Sequence, residues 1–186
     1  MASFDIAVEK TLAYEGGYVN DPKDPGGETN FGISKRSYPN EDIKNLSKVR
    51  AKEIYRRDFW NAVHGDAVKN QAAANAVFDM AVNAGPGTAK KMANKAASIS
   101  GKASYLDLNE QQGSAFNVIF GKLRIAYYRA LAAKRPSSAK FLKGWEKRAK
   151  GFFQSNAKGA ALAVGVMMAA GAAVYIWKRN KEKKGA

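Results

Sequence analysis

Two carboxylates and a hydroxyl near the N-terminus have the types and spacing of a hydrolytic site. Phe4, Val8, Leu12 and Glu15 follow one another at steps of four, four and three, which puts them on one helical face. That face is apolar except for Glu15. Burial disfavours the charged form of such a carboxyl group, and the negative end of the helix dipole acts the same way. The group is thereby kept protonated, as a general acid requires. Asp24 and then Thr29 follow among Asn20-Asp21-Pro22, Asp24-Pro25 and Gly26-Gly27, turn signals that no helix survives. A carboxylate in a wet turn stays ionised, so Asp24 either activates a water or stabilises positive charge, and the Thr29 hydroxyl can hold that water. One proton donor and one ordinary carboxylate suit cleavage of a glycosidic bond, which needs a group on each face of the sugar. The same residues also admit a plainer reading: a helix-end glutamate turned to solvent, and turn residues bonded to their own backbone.

The elements that must position these groups read as helices. Residues 3–15 form the first, which Gly16 and Gly17 end with a left-handed cap. Residues 18–31 form a loop, with a short hairpin reaching Phe31 and Ile33. Ser47 caps a helix through about Trp60 that carries Val49, Ile54 and Phe59. A third helix spans residues 71–83 with Ala74, Val77, Phe78 and Ala81 inward, and Gly85-Pro86-Gly87 breaks it. A fourth covers residues 88–99. A longer one covers residues 109–133, burying Phe116, Ile119, Phe120, Leu123, Tyr127 and Leu131, and Pro136 ends it. Residues 138–153 form the last. The expected fold is mainly α: a compact helical domain with a catalytic loop or short hairpin after helix one. Asp79 and Asn83, one helical turn apart, either brace the active-site loop or contact substrate.

The chain has 186 residues, a formal net charge of +15, one histidine and no cysteine. Thiol nucleophiles and thiolate metal sites are excluded, and a zinc site built on imidazoles lacks ligands. Asn20, Asp21, Asp24 and Glu28 do not have the spacing of an EF-hand loop, so no metal and no cofactor is expected. The charge favours polyanionic partners: nucleic acid, anionic lipid or an acidic cell wall. No basic-aromatic motif for nucleic acid is recognisable, and nucleic acid is not expected as a partner. The N-terminus has neither the basic start nor the apolar run of a secretory signal, so synthesis in the cytoplasm without a cleavable address is expected.

The composition then changes. Residues 159–177 contain no charge and are flanked by Lys158 on one side and by Lys178, Arg179, Lys181, Lys183 and Lys184 on the other. A bilayer core needs about 20 apolar residues as helix. Tyr175 and Trp177 stand where an interfacial belt would lie. The expected organisation is a catalytic domain at 1–153, a linker at 154–158, a transmembrane helix at 159–177 and a basic tail at 178–186. The alternative is an Ala/Gly-rich helix packed on the soluble domain. The anchor implies attachment to the inner membrane with anionic lipid contact.

The string Glu15-Gly16-Gly17-Tyr18-Val19-Asn20-Asp21-Pro22, with Asp24-Pro25-Gly26-Gly27-Glu28-Thr29-Asn30-Phe31-Gly32-Ile33, resembles the signature of glycoside hydrolase family 108, the phage endolysins and secreted N-acetylmuramidases. Ile54-Tyr55, Phe59-Trp60, the run from Phe78 to Gly85, and Gly144-Trp145 with Arg148 continue the resemblance over about residues 1–153. It implies an α+β lysozyme-like fold and hydrolysis of the β-1,4 bond between N-acetylmuramic acid and N-acetylglucosamine in peptidoglycan. It places the catalytic glutamate at Glu15 and implies an inverting displacement, in a phage lysis protein that acts on peptidoglycan in the periplasm, with the side of the membrane on which the anchored domain first sits left open. The Glu15, Asp24, Thr29 order is similar to the triad of phage lysozymes, with the Asp-to-Thr interval one residue shorter. Tyr18 and Asn30 flank these groups and are candidates for the sugar's acetamido groups, with Asn83 a third substrate contact. Residues 92–109 depart from the family's usual peptidoglycan-binding segment, and the apolar C-terminal stretch is not general to the family. A different class of function, a non-enzymatic membrane-active lysis protein, rests on the apolar stretch and basic tail alone.

Overall fold

The computed structural model describes residues 1–20 and 27–153. Helix α1 (Phe4–Leu12) starts where the Ser3 side chain accepts the Ile6 N–H. It ends earlier than the sequence pattern suggests and without a glycine cap. Ala13 closes it in right-handed geometry, and neither Gly16 nor Gly17 takes a positive φ. Beyond it the chain tightens: the Tyr14 and Glu15 N–H groups donate to Thr11 and Leu12, three residues back. Glu15 therefore sits in a turn past the helix, so the expected shared face stops at Leu12.

The hairpin follows. Strands β1 (Thr29–Asn30) and β2 (Ile33–Ser34) pair antiparallel, with Thr29 opposite Ser34 and Asn30 opposite Ile33. Phe31 and Gly32 form the turn with φ of 48° and 75°. Two successive left-handed residues match the twist of a two-residue hairpin. Val19 extends the pairing by exchanging both backbone hydrogen bonds with Thr29 at 2.8 Å.

Ser47 caps α2 (Lys48–Tyr55) by accepting the Arg50 N–H. The helix does not run on to Trp60 as expected. It widens into a π turn at Arg56–Trp60 and then tightens into a 3-10 turn at Asn61–Val63. Val49 is 69% exposed, whereas Ile54, Tyr55 and Trp60 are buried. Trp60, Phe4 and Phe78 meet edge-to-face at centroid separations of 5.6–5.9 Å, the aromatic pairing that opposes ring edges to ring faces.

Helix α3 (Gln71–Ala84) is the central element, packed against α1, α4 (Pro86–Ile99), α5 (Glu110–Lys134) and α6 (Leu142–Phe153). Every residue from Ala73 to Ala81 is buried. Gly85 separates α3 from α4, but Pro86 belongs to α4 as its first residue, where its missing N–H costs nothing. A capping box between Asn109 and Gln112 starts α5. Pro136 opens a 3-10 stretch, Pro136–Phe141, that leads into α6. Tyr128 on α5 is fully buried, while its neighbour Tyr127 is only partly so. Among the described residues no helix is long and apolar enough to cross a membrane. The expected linker at 154–158, span at 159–177 and basic tail at 178–186 lie outside the described residues.

Asn70, buried at the start of α3, accepts the Ala73 N–H at 2.9 Å and stands against Gly113 of α5, where a Cβ has no room. Asn70→Ala removes the cap of the central helix. It is expected to lower stability by about 1–2 kcal/mol, read as a shifted midpoint in urea denaturation with unchanged slope.

Candidate active site

Three elements meet at Glu15: the turn after α1, the hairpin, and the middle of α6. The Glu15 side chain is 17% exposed, and Oε1 accepts from Arg148 Nη1 at 2.8 Å. Gly32 lies over the same carboxylate. A Cβ built there would stand 2.7 Å from Glu15 Oε2 and 2.6 Å from the Tyr55 hydroxyl. Gly32 is thus required twice, by its left-handed φ and by the closeness of the acid. Tyr55 fixes the turn by donating its hydroxyl to the Phe31 carbonyl at 2.8 Å. Burial, then the negative charge of Glu15, push the Tyr55 phenol far above its ordinary range, so it stays a donor.

Behind Glu15 lies a buried chain of polar groups. Arg148 donates through Nε and Nη2 to Asp79 at 2.8–3.1 Å. Burial opposes its charge, but the Asp79 and then the Glu15 carboxylate outweigh that and hold Arg148 protonated. Asp79 is fully buried and receives a second guanidinium, Arg124 Nη2, at 2.6 Å. Arg124 Nε donates to the Tyr128 hydroxyl at 2.8 Å, and that hydroxyl donates to Asn83 Oδ1 at 2.8 Å. A buried carboxylate is tolerated only when its lone pairs are met, and Asp79 has four guanidinium contacts.

In front of Glu15 a cleft of about 270 Å³ opens, lined by Leu12, Gly16, Gly17 and Phe31, with Glu9 and Lys48 at its edge. A methyl group added at Gly16 or Gly17 would meet no atom within 4 Å, so this wall of the cleft is low. The apolar surroundings expected for Glu15 are replaced on one side by a guanidinium. The result is a carboxyl group held from behind and accessible from in front, the disposition of a proton-transfer group.

Asp24 lies within 21–26, outside the described residues. Thr29 is half-buried on β1, its hydroxyl 3.4 Å from the Gly27 carbonyl. Tyr18 is exposed and donates to Glu28 at 3.0 Å. Asn30 is buried and donates to the Ile43 carbonyl at 3.1 Å, tying the hairpin to the segment before α2. Asn83 ends the polar chain at Tyr128. Among the described residues none of Tyr18, Thr29, Asn30 and Asn83 bonds Glu15. Asp79 braces Arg148 and not the loop itself. Sequence reasoning missed Arg124 and Tyr128. The available signal is their spacing of four from Phe116 and Phe120: a charge on the buried stripe of a helix implies a buried counter-charge.

Residues 8–85 match the family Glycosyl hydrolase 108. The matched segment contains Glu15, the hairpin, Tyr55 and Asp79. The fold is similar to that in the structure of Brucella abortus SagA, with 28% sequence identity, a TM-score of 0.62, and coverage of 86% of this chain and 94% of that one. No curated protein matches the chain. These likenesses support a glycoside hydrolase with a mainly helical, lysozyme-like fold.

Gly32→Ala is expected to cost about 1–3 kcal/mol, because it combines a left-handed φ with a clash against Glu15 and Tyr55. Gly16→Ala, with open space and no positive φ, is expected to stay within about 0.5 kcal/mol of the parent. Urea denaturation of the two variants checks the contrast.

Proposed function

We propose, from the match to Glycosyl hydrolase 108 over residues 8–85, that the chain is a muramidase of that family. It hydrolyses the β-1,4 bond between N-acetylmuramic acid and N-acetylglucosamine in bacterial peptidoglycan, with Glu15 as general acid. The observation that carries this reading is the Glu15 carboxyl group at the cleft, fixed by Arg148 on one oxygen and overlain by Gly32 on the other side. A glycan strand lying in the cleft presents its bridging oxygen to Glu15. The proton moves to that oxygen, the bond from the anomeric carbon to it breaks, and positive charge develops on the ring. Arg148 then faces the newly formed Glu15 carboxylate, a fixed cation placed where negative charge appears.

A water attacks the anomeric carbon from the opposite face and inverts it. Asp24 takes the proton of this water and the Thr29 hydroxyl holds it. Both roles rest on sequence order, with Thr29 on the strand that leads into the turn over Glu15. Tyr18, exposed and bonded to Glu28, lines the sugar. Asn30 and Asn83 already bond inside the fold and support the hairpin and the end of α3. The setting we assign is a phage endolysin, tethered to the inner membrane by residues 159–177. The uncharged stretch between Lys158 and the basic tail supports that anchor.

The test is release of reducing ends from purified peptidoglycan by the full chain, with identification of the sugar that bears the new end. New muramic ends are expected, and Glu15→Gln is expected to lower the rate by about 10²–10⁴-fold while the fold is kept. No new ends from a well-folded parent would overturn the reading. The anchor has its own check. The full chain is expected to pellet with membranes, and a chain lacking residues 159–186 to remain in the supernatant.

A further inference from the structure

We infer that Asp79 and Arg124 are positioning residues that apportion the Arg148 guanidinium between two carboxylates, and so govern proton binding at Glu15. The inference rests on the muramidase reading and deepens it. Four charged groups stand in sequence: Glu15, Arg148, Asp79, Arg124. Arg148 gives Nη1 to Glu15 and both Nε and Nη2 to Asp79. Arg124 approaches Asp79 from the far side, through Nη2. With Glu15 ionised, two negative and two positive charges balance. Asp79 and Arg124 are 0% and 1% exposed, so solvent and salt screen them little.

Net stability alone does not require a charged cluster at this place. Well-packed apolar residues in place of a buried ion pair are often as stable or more so. Arg124 is also incompletely satisfied, since its buried Nη1 has no partner among the described residues. What it supplies that an apolar side chain cannot is charge. With Arg124 present, Asp79 needs less of Arg148, and Arg148 is left free to meet Glu15. Without Arg124, Asp79 draws on Arg148 alone, the cluster carries an excess negative charge, and the proton on Glu15 is retained more strongly. Without the Asp79 charge, the whole of Arg148 serves Glu15 and the proton is released more readily.

The other groups that face Glu15 stay constant in this comparison. Tyr55, from the end of α2, is neutral and bonded to Phe31. Glu9 at the edge of the cleft is paired to Lys48 and Lys52, each at 2.7 Å. The hairpin presents Gly32, and the Tyr14 ring lies 5.5 Å from the Arg148 guanidinium. At the far end Tyr128 is a neutral partner of Arg124, its phenol raised by burial.

The experiment uses the full chain and two readouts. One is the titration of the Glu15 carboxyl carbon by NMR, assigned by its loss in Glu15→Gln. The other is the pH–rate profile on purified peptidoglycan, whose alkaline limb follows loss of the acid's proton. Asp79→Asn is expected to move the midpoint and the limb down by about one pH unit, and Arg124→Gln to move both up by about one. The double variant Asp79→Asn/Arg124→Gln, balanced again, is expected to return close to the parent, and Arg124→Lys to stay there. Shifts in one direction for both single variants, or none, with native near-UV circular dichroism, would overturn the inference. If Asp79→Asn does not fold, Arg124→Gln against Arg124→Lys decides: equal midpoints overturn it. Opposed NMR shifts in a chain that cleaves no peptidoglycan would keep the electrostatic coupling and remove the muramidase reading, so the two failures are distinct.

Discussion

A carboxylate with no solvent exposure sits in the middle of the central helix, and much of the architecture follows from the need to neutralise it. Asp79 cannot face the apolar residues around it unless cations reach it, and removing one partner of such a buried pair costs about 3–5 kcal/mol. The cations come from two different helices, Arg124 from α5 and Arg148 from α6. Their convergence fixes how far along α3 each of those helices is docked. Apolar side chains alone specify such a register loosely, because many packings of similar volume are tolerated.

The same constraint is passed outward to the surface. Arg148 has one nitrogen left after binding Asp79, and that nitrogen ends at Glu15. The acid is therefore held by a side chain that is itself held by the core. On the opposite side, the hairpin is pinned by Tyr55 through Phe31 and by Asn30 through Ile43. Glu15 stands between a rigid interior and a rigid turn, and the remaining direction is the cleft. A group restricted in this way has little orientational freedom left to lose, which is the physical content of preorganisation.

The sequence makes most of the scaffold legible and only part of the site. Apolar periodicity locates α3 and α5 to within a residue or two, because both bury a wide stripe. Ser47 marks its helix correctly because capping is local chemistry. The end of α1 and the π turn after Tyr55 are not legible, since both are settled by what packs against them. Glu15 is conspicuous as the carboxylate that closes an apolar run, although it lies in the turn past the helix and not on its face, and the Phe31-Gly32 turn is conspicuous by its glycine. Its partner Arg148 lies on the last described helix and is joined to it only through the fold. Arg124 looks like any other basic residue among the thirty-one lysines and arginines until its place on the buried stripe is considered.

Arg148 lies 69 positions beyond Asp79, on α6, whereas the family match ends at residue 85. The matched segment therefore contains the acid but not the guanidinium that orients it. During synthesis the N-terminal part of the chain emerges with Glu15 already present and its tether not yet made. Orientation of Glu15 arrives only when α6 docks, so the order in which the ribosome delivers the helices makes the geometry around this carboxyl group a property of the finished fold and not of its first half.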